Sequence, residues 1–219
     1  MIGSPQPCVV VFGGSFDPVH NGHVALANHF VDLFAPNILR VIPAGNPWQK
    51  RPLIATAEQR VEMVKRAWSH QNVPMVIDQQ EIQRQTVTYT IDTLQSLRNE
   101  LGPQACVIFL IGADQLQHLN TWKNWDQLLQ YAHLGVATRP GFSIDAVPAE
   151  VMHLMKTHSA TVQEILHSSC GFVYLEENLA IDISSTTIRH ALRTAKNPQA
   201  LLVPAAVLDY IAQHHLYQN

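Results

Sequence analysis

The amino-acid sequence predicts an α/β protein whose doubly wound, mostly parallel sheet is covered by helices on both faces. Short apolar runs alternate along the chain with longer segments in which apolar residues recur at helical spacing. Nearly continuous apolar runs are typical of strands buried on both faces, and their alternation with helices is typical of parallel sheets. Hydrophobic residues make up 47% of the 219 residues, which is enough to fill a substantial core.

Six apolar runs have the length expected of strands in such a sheet. The predicted strands are residues 8–12, 38–42, 75–77, 106–111, 134–137 and 172–175. Proline-containing stretches at the ends of the second and fifth runs, "IPAGNPWQKRP" and "TRPGFSIDAVP", are predicted to be loops. Ligands of open α/β sheets bind beyond the carboxyl ends of the strands, so we expect a Rossmann-like fold with its site at that edge.

The helices are predicted from their start signals. They begin near Gly22, Thr56, Thr90 and Ser184 or Ser185. The second start carries a capping box, because Gln59 follows Thr56 by three positions, and Gly102 is expected to end the third helix. No repeat or low-complexity tract divides the chain, so we expect a single domain over residues 1–219, with a small helical excursion at about 140–170.

The amino-acid composition limits the binding partners and the cellular compartment that can be expected. A formal charge of -3 gives no broad basic surface, so no nucleic-acid partner is predicted. The cysteines Cys8, Cys106 and Cys170 are far apart and form no CxxC pair, which argues against a thiolate zinc site and a disulfide framework. The apolar runs are too short to span a membrane, and the N-terminus lacks a basic signal region. These features indicate a cytoplasmic protein; the oligomeric state is not predicted.

The stretch "GGSFDPVHNGH" at residues 13–23 follows the first predicted strand and leads into a helix. Helix starts after a strand bind anions, and Gly13 and Gly14 are expected to turn the chain with positive φ. His20 and His23 are three positions apart, so both imidazoles can donate to the same anion. The stretch matches neither GxGxxG nor GxxxxGK[ST], so a histidine-based phosphate site is predicted.

Two other interpretations of these histidines remain open. Each histidine could be structural, as single histidines in turns often are. Alternatively, Asp17, His20 and His23 could bind a metal ion, since HxxH is a possible ligand spacing. The chain has no HExxH motif and no second acidic cluster at suitable spacing, so no metal-ligand set within the protein is predicted.

A second phosphate-binding signal lies near the other end of the chain, in "IDISSTTIRHALRTAKN". Hydroxyl groups crowd a helix start there, and Arg189 follows one turn later. Hydroxyls, free N–H groups and a guanidinium suit phosphate oxygens, although the hydroxyls could also serve only as a helix cap.

Together these motifs resemble those of the HxGH nucleotidylyltransferase superfamily. With "TYTIDTL", "IGADQL", "TWKNWDQLL" and "TRPGF", the sequence is similar to bacterial nicotinate-mononucleotide adenylyltransferases over nearly the whole chain. The resemblance implies transfer of AMP from ATP to nicotinate mononucleotide, with Mg²⁺ accompanying ATP. It implies catalytic roles for His20 and His23. It also implies ATP contacts for Gly14, Ser15, Phe16, Gly112, Asp114, Ser185, Thr186 and Arg189.

The acceptor end is predicted from its residue types. Thr88, Tyr89 and Thr90 begin a helix and include no acidic residue, so their N–H groups favour a nicotinate carboxylate over the amide. Trp122 offers an aromatic face for the ring, or else packs in the core. The resemblance implies that Lys50 contacts the acceptor phosphate, whereas Arg139, in its loop, is a candidate contact for a nucleotide phosphate or else a solvated charge. Relatives often carry "PPHK" where this chain has "PWQK", which keeps Lys50 but replaces the histidine.

The chain carries no poised carboxylate or nucleophilic triad, and the implied reaction needs none. A phosphate monoester is mostly dianionic at neutral pH, so its oxygen attacks without a general base. Two alternative functions share the motifs: an adenylyltransferase acting on phosphopantetheine, and a nucleotide-binding sensor without turnover.

Overall fold

The computed structural model describes residues 7–46, 53–69, 73–138, 140–177, 179, 183–194 and 202–218. Within them, six strands form one sheet in the order β3-β2-β1-β4-β5-β6, and every neighbouring pair is parallel. The strands are β1 Cys8–Gly14, β2 Ile38–Pro43, β3 Met75–Ile77, β4 Cys106–Gly112, β5 His133–Ala137 and β6 Val173–Glu176. This is the strand order of the doubly wound dinucleotide-binding fold, so the predicted fold class and the six predicted strands are confirmed.

Helices precede or follow each strand. The α-helices are α1 Asn21–Phe34, α2 Ala57–Ala67, α3 Gln80–Gln83, α4 Thr90–Leu101, α5 Ala149–Thr157, α6 Val162–Leu166, α7 Ser185–Arg193 and α8 Ala205–Gln213. Three 3-10 helices cover Ala113–Thr121, Trp125–Gln130 and Ile144–Ala146. The four predicted helix starts are confirmed, and residues 140–170 contain short helices as expected, although the division into domains stays a prediction. No helix among the described residues is long and apolar enough to cross a membrane.

Local sequence signals explain the helix ends. Thr56 Oγ1 accepts the Gln59 N–H at 3.2 Å while Gln59 Oε1 accepts the Thr56 N–H at 2.9 Å, so the predicted capping box is present. Gly102 ends α4 at φ 83°, a conformation that glycine adopts without a steric penalty.

The sheet separates two hydrophobic cores. In β1, Val10 and Phe12 pack into the core beneath α1, α2 and α8, whereas Val9 and Val11 pack into the core beneath α4 and the 3-10 helices. Side chains of a strand alternate between the two faces, so a strand apolar at every position requires cover on both sides. This double burial holds the carboxyl end of β1 in place, where the candidate site begins.

Candidate active site

A cavity of about 1030 Å³ opens at the carboxyl ends of β1 and β4. It is bounded by the turn after β1, the end of β4 and the starts of α4 and α7. Thirteen of the predicted site residues line it: Gly14, Ser15, Phe16, His20, His23, Thr88, Thr90, Gly112, Asp114, Trp122, Ser185, Thr186 and Arg189. Tyr89 is not among the lining residues, and Lys50 and Arg139 lie outside the described residues.

The backbone conformation of the two glycines before the turn differs from the prediction. Gly13 and Gly14 belong to β1 and do not have positive φ; the left-handed residue of the turn is Phe16, at φ 49°. Expecting positive φ at the glycines was therefore wrong. Glycine is needed at position 14 for steric reasons, because a Cβ there would lie 2.8 Å from the Phe16 ring. Phe16 is fully buried, and its ring meets Phe12 edge-on at 5.5 Å.

The two histidines of the turn cap α1 reciprocally. The His23 N–H donates to Nδ1 of His20 at 3.3 Å, and the His20 N–H donates to Nδ1 of His23 at 3.2 Å. The rings stack with centroids 3.6 Å apart. Because each Nδ1 accepts a backbone N–H, the neutral tautomer of each ring carries its proton on Nε2. The cap thus makes Nε2–H the donor of both neutral rings, and both residues line the cavity.

Burial sets the charge state of His20. This residue is 5% exposed, and desolvation lowers its pKa from 6.5 to about 4. At neutral pH the ring is uncharged, so it offers a hydrogen bond to an anion without carrying a positive charge.

The start of α7 has a different cap. Ser184 Oγ accepts the Thr187 N–H at 3.2 Å and forms a hydrogen bond with Thr187 Oγ1 at 2.9 Å. Ser185 Oγ donates to the Pro18 carbonyl at 3.0 Å, which joins this helix start to the turn after β1. The predicted capping role of the hydroxyls is therefore present in Ser184, while Thr186 remains exposed beside the cavity.

Arg189 makes a second connection between the two ends of the chain. Its Nη1 donates to the Asp17 carbonyl at 2.6 Å and its Nη2 donates to Thr186 Oγ1 at 3.2 Å. The guanidinium is thereby oriented at the cavity wall before any ligand is present. An arginine held in this way loses less conformational entropy when it binds a phosphate.

The carboxylate of Asp17 serves the fold rather than a metal site. It accepts the N–H groups of Ile54 at 2.8 Å and Ala55 at 3.1 Å, and the Tyr217 hydroxyl at 2.6 Å. Among the described residues, no group of three or more His, Cys, Asp and Glu side chains could hold a metal ion. The alternative of an Asp17, His20 and His23 metal site therefore has no support in this geometry.

Gly112 and Asp114 lie where β4 passes into the first 3-10 helix. A Cβ at Gly112 would lie 2.6 Å from Asp114 Oδ1, so glycine is needed for the carboxylate to fold back over the strand end. Asp114 Oδ2 accepts a hydrogen bond from Gln115 Nε2 at 2.7 Å. The carboxylate is thus presented at the cavity rim, where it can accept from a sugar hydroxyl.

The start of α4 also borders the cavity, since Thr88 and Thr90 are among the lining residues. Within the described chain no side chain caps this helix, in contrast to α1, α2 and α7. Thr88 is buried and its N–H donates to the Asn46 carbonyl at 3.2 Å. Tyr89 packs its ring beneath the Lys123 ammonium, 4.7 Å from the centroid, and does not line the cavity.

Trp122 combines the two predicted roles, since it lines the cavity and packs against the core on the α4 face. Its buried Nε1 has no hydrogen-bond partner in the part of the chain that the structure describes. A buried donor without a partner is costly, so a bound acceptor group would stabilise it.

Glu81 of α3 also lines the cavity, and the sequence analysis missed it. None of the residues Thr88–Thr90 is acidic, but the fold places the carboxylate of Glu81, which lies outside that segment, at the same cavity. Burial raises the pKa of Glu81, while a 2.8 Å hydrogen bond from Thr93 Oγ1 opposes the rise. Thr93 also accepts from Arg84 at 2.9 Å, so the carboxylate belongs to a polar network.

The fold and the two helix starts define a nucleotide-binding α/β protein. The model of the cytidylyltransferase-like family matches residues 11–191, a range that begins in β1 and ends in α7 and so contains both helix starts.

Individual relatives narrow this class. A protein of Herminiimonas arsenicoxydans, named a probable nicotinate-nucleotide adenylyltransferase, is 55% identical over 97% of this chain and 97% of its own length. One of the same name from Aeromonas salmonicida is 41% identical over 95% of this chain and 96% of its own length. The chain therefore belongs to the cytidylyltransferase-like family and, within it, to the nicotinate-nucleotide adenylyltransferases.

A solved structure has the same fold. Nicotinic acid mononucleotide adenylyltransferase of Plasmodium falciparum, in complex with NaAD, superposes with a TM-score of 0.76 at 18% sequence identity. The match covers 97% of this chain and 98% of that chain.

Proposed function

We propose that this protein transfers AMP from ATP to nicotinate mononucleotide, producing nicotinate adenine dinucleotide and pyrophosphate in NAD biosynthesis. The observation that carries the proposal is the meeting of two helix starts from opposite ends of the chain in one cavity. The starts of α1 and α7 are joined directly by the hydrogen bonds from Ser185 to Pro18 and from Arg189 to Asp17. A site of this kind suits one polyphosphate bound between them.

In this proposal, the start of α7 holds the β and γ phosphates of ATP. Thr186 supplies a hydroxyl donor and Arg189 a guanidinium, while Ser185 contributes its backbone N–H, because its hydroxyl already donates to the Pro18 carbonyl. The turn after β1 approaches the reacting phosphate through the backbone of Gly14, Ser15 and Phe16. The carboxylate of Asp114 accepts from the ribose.

The proposed chemistry is an in-line displacement at the α phosphate. An oxygen of the acceptor phosphate attacks the α phosphorus, the bond to the bridging oxygen breaks, and pyrophosphate leaves with that electron pair. The attacking oxygen is already deprotonated, so no side chain has to remove a proton. The Nε2–H groups of His20 and His23 donate to the oxygens on which charge accumulates, and their reciprocal cap holds them in place beforehand.

Mg²⁺ is proposed to enter as part of the substrate MgATP. The described side chains form no cage for a metal ion. This fits an ion held chiefly by phosphate oxygens and water, which is how Mg²⁺ commonly binds beside nucleotides. Its chemistry is to offset phosphate charge; the alignment is the task of the protein residues.

The acceptor mononucleotide is proposed to bind between Trp122 and the start of α4. The uncapped N–H groups there suit the nicotinate carboxylate, and the Trp122 ring offers a face for the pyridine. Lys50 and Arg139 remain proposed phosphate contacts on sequence grounds. Thr88 and Thr90 flank the helix start and complete the acceptor end. We place the reaction in the cytoplasm, in keeping with the three free cysteines.

The test is to incubate the protein with MgATP and, in separate reactions, nicotinate mononucleotide, nicotinamide mononucleotide and phosphopantetheine. Chromatography should show the dinucleotide and an equal amount of pyrophosphate with the nicotinate acceptor. A site matched to a carboxylate leaves donors poorly paired with an amide, so kcat/KM should be lower for nicotinamide mononucleotide. Equal values would contradict the proposed acceptor site, and tight ATP binding without any product would favour a nucleotide sensor.

A further inference from the structure

The chain's C-terminal segment reaches beneath the turn after β1. Tyr217 follows α8, lies at φ 64° and is only 3% exposed. Its hydroxyl donates to Asp17 Oδ1 at 2.6 Å across 200 positions of sequence. Burial and this hydrogen bond raise the pKa of Tyr217, so the hydroxyl stays protonated and remains a donor.

Asp17 passes this contact to several parts of the site. Its carboxylate also accepts the N–H groups of Ile54 and Ala55, which precede α2. Its carbonyl accepts from Arg189 on α7. One residue of the turn therefore joins the loop before α2, the phosphate-facing arginine and the C-terminal segment.

A buried cation lies against the same turn. Arg60 of α2 is 2% exposed, and its Nη1 donates to the Ser15 carbonyl at 3.0 Å. Burial lowers the pKa of Arg60, and the nearby charge of Asp17 opposes that shift. The carboxylate of Asp17 thus compensates a guanidinium that would otherwise be costly to bury.

We propose that Tyr217 is a positioning residue for adenylyl transfer, because its hydroxyl holds Asp17 where Asp17 orients both the turn leading to His20 and the guanidinium of Arg189. This inference rests on the proposed function, and it goes beyond it by assigning a task to a residue that does not line the cavity. Tyr217 itself contacts no reacting atom.

Removing the Tyr217 hydroxyl should loosen the turn after β1 without leaving a cavity where the ring packs. In Tyr217→Phe the ring still fills its place in the core, while Asp17 Oδ1 keeps only the longer 3.1 Å hydrogen bond from Ala55. A buried carboxylate that has lost a donor shifts toward its remaining donors or admits water. Displacement of the turn then reduces the alignment on which the rate depends.

The experiment compares Tyr217→Phe with Tyr210→Phe. Tyr210 is a buried tyrosine of α8 whose ring lies 4.2 Å from that of His214 and under Arg66, away from the cavity. We expect kcat of Tyr217→Phe, per folded molecule by near-UV circular dichroism, to fall roughly 10- to 100-fold, with a smaller change in KM for ATP. Tyr210→Phe should retain the wild-type kcat.

A second measurement does not depend on turnover. Amide hydrogen exchange at Ile54 and Ala55, whose N–H groups donate to Asp17, should be faster in Tyr217→Phe than in Tyr210→Phe. Unchanged kcat, unchanged exchange at these amides, or equal losses in both variants would overturn the inference while the proposed function stands. A wild-type protein that releases no pyrophosphate would overturn the proposed function, and this inference with it.

Discussion

The starts of α1 and α7 face the same cavity but are capped in different ways. At α1, two imidazoles cap each other's backbone, and His20 is almost completely buried. At α7, a single serine provides the cap, and Thr186 and Thr187 are exposed. One start is therefore ordered by the protein itself, whereas the other leaves donors accessible to a ligand.

This difference indicates a division of labour between the two motifs. Donors fixed before the reaction act best on charge that appears only in the transition state. Accessible hydroxyls and an arginine act alike on bound ATP and on the transition state, so they contribute chiefly to substrate affinity. We therefore expect changes at α1 to lower kcat and changes at α7 to raise KM.

The largest expected effect comes from His23→Ala. Loss of one preorganised donor should lower kcat roughly 10²- to 10³-fold while ATP still binds. Steady-state kinetics and an ATP titration measure the two quantities, and His153→Ala on the exposed face of α5 is the control. A well-folded His23→Ala with nearly wild-type kcat would refute the role of the imidazoles. Activity lost only in step with melting temperature would make His23 structural.

The pH dependence of stability tests the burial of His20. Its pKa is about 4 in the folded protein against 6.5 for the exposed group, so the unfolded chain binds the proton first as pH falls. Stability should decrease between pH 6.5 and 4, and by pH ~4.5 this residue should account for about 2–3 kcal/mol. Urea unfolding of the wild type and of His20→Asn, at pH 6.5 and at pH ~4.5, measures this contribution to the free energy of unfolding. If acid lowered the free energy of unfolding equally in the two proteins, His20 would be hydrated rather than buried.

A somewhat smaller effect is expected from Arg189→Ala. A charge-assisted contact with the polyphosphate contributes about 1.5–3 kcal/mol, so KM for ATP should rise roughly 10- to 100-fold. Some loss of kcat should accompany it, because Arg189 also holds the Asp17 carbonyl. Lys156→Ala, on the exposed part of α5, is the charge-matched control. If KM for ATP did not change, the proposed contact with the phosphates would be wrong.

The smallest expected effect is that of Ser184→Ala. Loss of the cap should lower the free energy of unfolding by about 1 kcal/mol, and Ser184→Gly should restore most of it. Kinetics of both variants sharpen the comparison, since kcat should stay close to the wild-type value. A fall in kcat as large as that of His23→Ala would mean that the two helix starts do not differ in task.

Much of the fold follows from local sequence signals, because burial of a parallel sheet imposes apolar runs and turns impose glycine or capping residues. That is why the positions of β1 to β6 and the cap at Thr56 could be predicted, although most strands begin or end one or two residues from the predicted bounds. The roles of Glu81 and Tyr217 could not be, since their partners are distant in sequence and neither belongs to a motif. The glycines before the turn were misjudged because sequence alone does not show that Gly14 makes room for the Phe16 ring.

The hydrogen bond between Tyr217 and Asp17 also bears on the order in which the site forms. Asp17 is synthesised 200 residues before Tyr217, so the strand and helix around the turn leave the ribosome long before this contact is possible. Contacts between such distant residues form late, because the chain between them must first be ordered. The nascent chain therefore carries the histidine turn without this anchor until Tyr217 has been synthesised and α8 has packed.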